Sequence, residues 1–360
     1  MKRITHTPLQ FSNGSRIKNR LMLAPLTNTQ SHEDGILSED ELNWLTMRAK
    51  GGFGMVMTCA SHVQEIGKGF PGQLGIFSDH HCAGHKKLVE QIQAHDCLIV
   101  IQLHHAGMRA PVELINQKPV SASNNEKYGA RELSLDEIEE LKKDFISAAL
   151  RAQACGYDGV EIHGAHGYII TQFLSAEYNQ RNDQYGGSLE NRARLLFEII
   201  DGIRRECGND FLMGVRLSPE RYGMDIEEIK KVCQRLIDEN KINFIDLSLW
   251  DIFKFPEDEN YKEKLLLEYF TALDFKEVRF TAAGNIRNGK DVLKAMELGL
   301  DFVTIGRAGI LHHNFPKKIY DNPLFQSIKT PVKESHLRKE GLGDDFITYM
   351  RKWKDFVIKD

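Results

Sequence analysis

Residues 134–164 read SLDEIEELKKDFISAALRAQACGYDGVEIHG. The first part has the makings of an amphipathic helix. Ser134 and Glu137 stand at the spacing of a capping box, in which each side chain satisfies the other's free backbone N–H. The last part, GVEIHG from Gly159, is short and rich in bulky apolar residues, as a strand covered on both faces should be. One helix running into one such strand is half a turn of an α/β fold, and the question is how often it recurs.

It recurs along the whole chain of 360 residues. Strand-like runs begin at Arg20 (RLMLAPL), Gly54 (GMVMTC), Leu98 (LIVIQLH), Phe211 (FLMGVRLS), Asn243 (NFIDLSLW), Val278 (VRFTAAG) and Asp301 (DFVTIG). Amphipathic stretches lie between them: SEDELNWLTMRAKGG, NRARLLFEIIDGIRREC, DIEEIKKVCQRLIDEN and DVLKAMELG. Eight strands alternating with helices over this length predict one (β/α)8 barrel, with a doubly wound sheet as the structural rival. QFSNGSRI, with a tight turn at Asn13-Gly14, predicts an N-terminal β-hairpin within residues 1–18 ahead of the first barrel strand. FITYMRKWKDFVIKD predicts a helical tail over 340–360. The tail is expected to pack on its own barrel, the alternative being a homo-oligomer in which it reaches a neighbouring subunit. No linker or repeat divides the chain into further domains.

Composition narrows the function. A net charge of -4 offers no basic field for nucleic acid. No apolar run is long enough for a membrane span or a signal peptide. The six cysteines are scattered, without a CxxC pair, so neither a zinc ribbon nor an iron–sulfur cluster is written here. Scattered thiols and no leader predict a cytoplasmic location.

In a barrel of this type the chemistry sits at the C-terminal ends of the strands. The unusual polar residues fall there: Thr27 after the first strand, Gln102 and His104-His105 at the third, His163, His166 and Tyr168 at the fourth, Arg216 at the fifth. Gly284 and Asn285 follow the seventh, and Gly306 and Arg307 the eighth. The segments AAGNIRNG and TIGRAG suit a phosphate: glycines let backbone N–H groups approach an anion, and Arg307 adds a fixed charge. The bland alternative is tight turns and a surface arginine. Gln102 and Arg216 suit the pyrimidine edge of a flavin, or else a salt bridge at the rim. GKGFPG at 67–72 matches GxGxxG letter for letter, but Pro71 and the further glycines oppose the helix that a dinucleotide fingerprint requires, so it reads as a loop. The histidine pair could ligate a metal, be buried without chemistry, or donate hydrogen bonds to an oxygen that gains charge, with Tyr168 as a nearby proton source. No HExxH or acidic trio completes a metal site, and none is expected.

The block HGAHGYIITQFLSAEYNQRNDQYGGSLENRARLLFEII, His163 to Ile200, resembles the signature of the Old Yellow Enzyme family of FMN-dependent ene-reductases. APLT near Thr27, IQLHHAG, GVRLS, AAGNI and TIGRAG fall in the same order. The resemblance implies noncovalent FMN reduced by NADH or NADPH, and an activated alkene, or a nitro compound, as the small-molecule substrate. It places Pro25, Thr27, Ala60, Gln102 and Arg216 against the isoalloxazine ring, and Gly284, Asn285, Gly306 and Arg307 at the FMN phosphate. His163 and His166 would bind the substrate's carbonyl or nitro oxygen, and Tyr168 would supply a proton. Thr27 follows the branch with threonine rather than cysteine at that position. His166 stands where some members carry asparagine, and Ser175-Ala176 replaces the common Ser-Pro. The rival functions are another FMN barrel dehydrogenase, which wants a cysteine or serine base that is not convincingly placed, and a metal-dependent barrel hydrolase.

Overall fold

The computed structural model describes residues 5–360. The eight expected runs form eight parallel strands: β1 (Leu21–Leu23), β2 (Met55–His62), β3 (Leu98–His104), β4 (Gly159–Gly164), β5 (Leu212–Leu217), β6 (Phe244–Trp250), β7 (Arg279–Gly284) and β8 (Val303–Ile305). Each pairs with its neighbours in chain order, and β8 pairs with β1, so the sheet closes into a barrel rather than a doubly wound sheet. β1 is shorter than expected because Pro25, two residues past its end, has no N–H to give a ladder.

The helices start where polar caps stand. Ser134 Oγ accepts from Glu137 N at 3.2 Å and Glu137 Oε2 from Ser134 N at 2.8 Å, so the capping box forms at the head of helix Leu135–Ala154. Ser38, Ser188, Asp225 and Asn288 head helices Glu39–Lys50, Leu189–Cys207, Ile226–Glu239 and Gly289–Glu297, each side chain accepting from the backbone N–H three residues on. Helix Cys82–Gln93 lies between β2 and β3 and was not foreseen. Its N-cap, His81, makes no side-chain cap bond, so the usual start signal is absent.

Side chains alternate along a strand, and every second residue faces the barrel interior. At the N-terminal end these positions are apolar. Met22, Met55, Met57, Val100, Leu212, Phe244 and Phe302 form a buried cluster with Leu9, Phe11 and Ile17. Those last three belong to the N-terminal hairpin, in which Leu9–Gln10 pairs antiparallel with Arg16–Ile17, so the hairpin plugs the bottom of the barrel. Residues 1–4 of the expected 1–18 span lie outside the described residues. Gly214 makes room for the plug: a Cβ there would stand 2.1 Å from the Phe244 ring. Two residues further up each strand the interior turns polar, with Gln102, Glu161, Arg216, Asp246, Thr281 and Thr304 all buried. This layer is the floor of the C-terminal mouth.

In the tail, a helix occupies Asp344–Arg351, and then Val357–Ile358 pairs in parallel with Val332–Lys333. The stretch is therefore part helix and part strand. The GKGFPG segment has a single 3-10 turn, Glu65–Gly67, and no helix opens through it. Among the described residues no helix is long and apolar enough to cross a membrane.

Candidate active site

A cavity of about 420 Å³ opens at the C-terminal mouth, within the range of small-molecule sites. Pro25, Thr27, His166, Tyr168, Arg216, Gly284, Asn285, Gly306 and Arg307 line it. Three of the expected residues do not: Ala60, Gln102 and His163 are buried and are not among its lining residues. Ala60 offers its backbone, whose carbonyl accepts from Gln73 Nε2 at 2.7 Å.

At one end, β7 and β8 deliver an anion corner. Asn285 has φ +52°, a left-handed conformation that asparagine tolerates better than most residues. Its Oδ1 accepts from Arg287 Nε at 2.9 Å and from Arg307 Nη2 at 3.2 Å, while its Nδ2 donates to Asp251 Oδ2 at 2.9 Å. Two guanidinium groups thus converge on one neutral oxygen. Burial lowers the Arg307 pKa, and the positive charge of Arg287 lowers it further. An anion seated between them would relieve that repulsion. At Gly306 a Cβ would meet only Leu26 Cδ2, at 3.9 Å, so any side chain there would stand in the open cavity. Arg287 was missed in the sequence, although it lies in the same AAGNIRNG segment.

The middle of the floor carries a buried charge cluster. Arg216 Nη1 stands 3.1 Å from Asp246 Oδ2. Its Nε and Nη1 nevertheless have no hydrogen-bond partner, although both are buried. Such donors are costly unless something accepts from them. The electron-rich N1/O2 edge of a flavin is an acceptor of that kind. Gln102 Nε2 donates to Glu161 Oε1 at 2.7 Å. Burial and the neighbouring Asp246 push the Glu161 carboxyl up to about 8, against Arg216. At neutral pH Glu161 keeps its proton, and the cluster of Arg216, Asp246 and Glu161 is close to neutral overall.

The other wall belongs to β4. The His163 ring lies 5.1 Å from that of His166 and 5.2 Å from that of Tyr168, centre to centre. His104 closes behind them, 4.4 Å from Tyr168. His163 Nδ1 accepts from Ala165 N at 3.3 Å, so its neutral tautomer carries the proton on Nε2. Burial drives the His163 pKa well down and that of His166 to about 3, with nearby Arg216 and Arg109 adding to the effect. Both are uncharged imidazoles at neutral pH. His166 sits at φ +63° and is held at several points. Its N donates to Ser218 Oγ at 3.0 Å, its O accepts from Arg109 Nη1, and its Nε2 is 2.7 Å from Ser248 Oγ. A strained backbone persists only where its surroundings over-determine it. Burial raises the Tyr168 pKa, which keeps the phenol protonated.

The rim comes from residues the sequence did not single out one by one. Trp250, at φ +65° and 63% exposed, stacks on Trp353 with ring centres 6.4 Å apart. Tyr349 and Met350 line the cavity beside them, so the tail covers its own barrel's mouth. In the sequence the first segment reads as the end of a strand, and the tail as a packing element.

The family model described as NADH:flavin oxidoreductase / NADH oxidase matches residues 5–323. The chain is 35% identical over 348 residues to the Bacillus subtilis protein described as a probable NADH-dependent flavin oxidoreductase, YqiG, covering 94% of this chain and 93% of that one. It is 32% identical over 338 residues to an NADH oxidase of Thermoanaerobacter brockii, covering 88% of this chain but only 51% of that longer protein. The old yellow enzyme homologue from Zymomonas mobilis superposes with a TM-score of 0.81 at 26% identity, over 95% of this chain and 99% of the other. A closed barrel with two guanidinium groups converging at one end of its mouth and unpartnered buried donors on its floor accords with these likenesses: the chain belongs to the NADH:flavin oxidoreductase / NADH oxidase family, the Old Yellow Enzyme family, and is an NAD(P)H-dependent flavin oxidoreductase that uses FMN.

Proposed function

We propose that the protein reduces activated C=C bonds, and also nitro groups, in a ping-pong cycle with NAD(P)H. FMN, when bound, would supply the hydride chemistry that links NAD(P)H to the β-carbon of the alkene. The observation that carries this reading is the cluster of His163, His166 and Tyr168, whose ring centres lie within 6.4 Å of one another, with His166 and Tyr168 lining the cavity. Arg216 and Gln102 would hold the pyrimidine edge, Pro25, Thr27 and the Ala60 backbone the rest of the ring, and Asn285, Arg307, Gly284 and Gly306 the phosphate end.

The histidines act on the substrate's oxygen. His163 presents Nε2–H, and His166, with Nε2 engaged by Ser248, presents its other nitrogen. Because both imidazoles stay neutral, they polarise the oxygen by hydrogen bonding rather than by charge. Preorganised donors of this type are strongest where negative charge develops in the transition state. Tyr168, a protonated phenol with its ring 5.2 Å from that of His163, supplies the proton to the α-carbon. The test is anaerobic reoxidation of the reduced protein by cyclohexenone. Changing His163 and His166 together to alanine should slow it by about 100-fold or more, with FMN content unchanged because the phosphate corner is at the other end of the cavity. An unchanged rate would overturn the role assigned to the pair.

A further inference from the structure

The charged residues that line the cavity are Arg109, Arg216, Arg287 and Arg307, with no carboxylate among the described lining residues, in a chain whose net charge is -4. Three of these cations have partners within the reading above, on which this inference rests. Arg216 stands over Asp246 and faces the pyrimidine edge, and Arg287 and Arg307 share the phosphate corner. Arg109 is left over. It lies with the His166 and Tyr168 wall, on the side that a second molecule must enter once the cofactor is seated.

The local geometry holds Arg109 in place without neutralising it. Its Nη1 donates to the His166 carbonyl, and its guanidinium lies 5.0 Å over the Tyr168 ring. Among the described residues it makes no ion pair within 4.0 Å. The cations of the adjoining hollow, which also borders on His166, are paired: Arg221 with Glu257, and Lys254 with Glu220. Most of the donors of the Arg109 fork are therefore uncommitted, and a fork fixed at one corner suits a bidentate oxyanion. Anchoring it in advance also reduces the ordering entropy that an arginine normally loses on binding.

We propose that Arg109 is an anion anchor at the cavity mouth, which binds a carboxylate on the substrate remote from its reacting double bond, or the pyrophosphate of the nicotinamide reductant. The shared chemistry is an oxyanion, and paired neutral and charged partners distinguish its source. On the substrate side, cyclohexenone is compared with 5-oxocyclohex-3-ene-1-carboxylate, whose carboxylate lies across the ring from the α-carbon, in stopped-flow reoxidation. On the reductant side, NADH is compared with the uncharged 1-benzyl-1,4-dihydronicotinamide. Arg109→Gln should cut the preference for the charged member of one pair by about tenfold or more, while Arg109→Lys restores part of it. The neutral partner serves as the internal control for any disturbance of His166. If both ratios are the same in the variant as in the parent, the proposal is overturned. Should neither enone reoxidise the parent protein, the alkene-reductase reading fails, and the reductant pair alone still decides the case for Arg109.

Discussion

Replacing Arg287 with methionine should weaken FMN and spare riboflavin. In the corner proposed to hold the phosphate, Arg287 Nε and Arg307 Nη2 both donate to Asn285 Oδ1, at 2.9 and 3.2 Å. Neither guanidinium forms an ion pair within 4.0 Å among the described residues; Asp251, whose carboxylate accepts from Asn285 Nδ2, acts on Arg307 only at longer range. A phosphate seated in the corner would take charge-assisted hydrogen bonds from both. Losing one such bond costs about 1.5–3 kcal/mol, or roughly tenfold to 150-fold in Kd at about 1.4 kcal/mol per decade. Methionine keeps much of the length of the side chain, so the change is mainly one of charge and donors. Arg307→Met should cost a similar amount. The double variant should depart from the sum of the singles, because each arginine leaves the other free to re-engage Asn285. The assay is fluorescence titration of the flavin-free protein with FMN and, in parallel, with riboflavin, which has the same ring and no phosphate. The Kd for FMN should rise, and the parent's FMN affinity should fall with salt while the variant's falls less. Equal weakening of both flavins would mean that Arg287 supports the fold of the corner rather than the phosphate, and the reasoning would be wrong.

Two further outcomes test the fold beneath the site. The buried His62, His85, His105 and His166 are held at about 4, 4, 3 and 3 by desolvation. Between pH 6.5 and about 4 the unfolded chain takes up protons that the native protein refuses, so stability falls as pH falls, by up to about 2 kcal/mol per histidine at pH 5. A melting temperature that stays flat from pH 7.5 to 5 would contradict this. Gly214→Ala forces a methyl to within 2.1 Å of the Phe244 ring as placed; overpacking of this kind costs about 1–3 kcal/mol, so thermal unfolding should begin at a lower temperature, and an unshifted transition would show that the plug at the bottom of the barrel is looser than the geometry implies.

What the sequence could say about this protein follows physical lines. Short runs of bulky apolar residues mark strands covered on both faces, and the barrel closes because eight of them are spaced by helices, most of them visibly capped; alternation along each strand then decides which side chains face inward. The same alternation carries Phe244 and Asp246 inward and so also Ser248, which was read only as part of a strand. Arg109 was not legible in this way. Its direction depends on the 3-10 turn Gly107–Arg109, where Gly107 takes φ +60° with its α-carbon face against the Gln172 amide. No local pattern in HHAGMRAP encodes that contact across 65 residues of chain. Trp353 and Tyr349 are the same kind of case: amphipathicity announces that a helix packs, but not what it covers. The reading of the tail as wholly helical missed the pairing of Val357–Ile358 with Val332–Lys333, which is set by a partner rather than by local propensity.

The wall made by Tyr349, Met350 and Trp353 has a consequence for the order of events at the ribosome. All eight strands are synthesised before these residues, and domains fold as the chain emerges. The barrel and its phosphate corner can therefore form while the mouth still lacks one side. A nascent chain could capture its flavin through a wide opening, and the late arrival of the tail would then narrow the entrance to the size of a substrate.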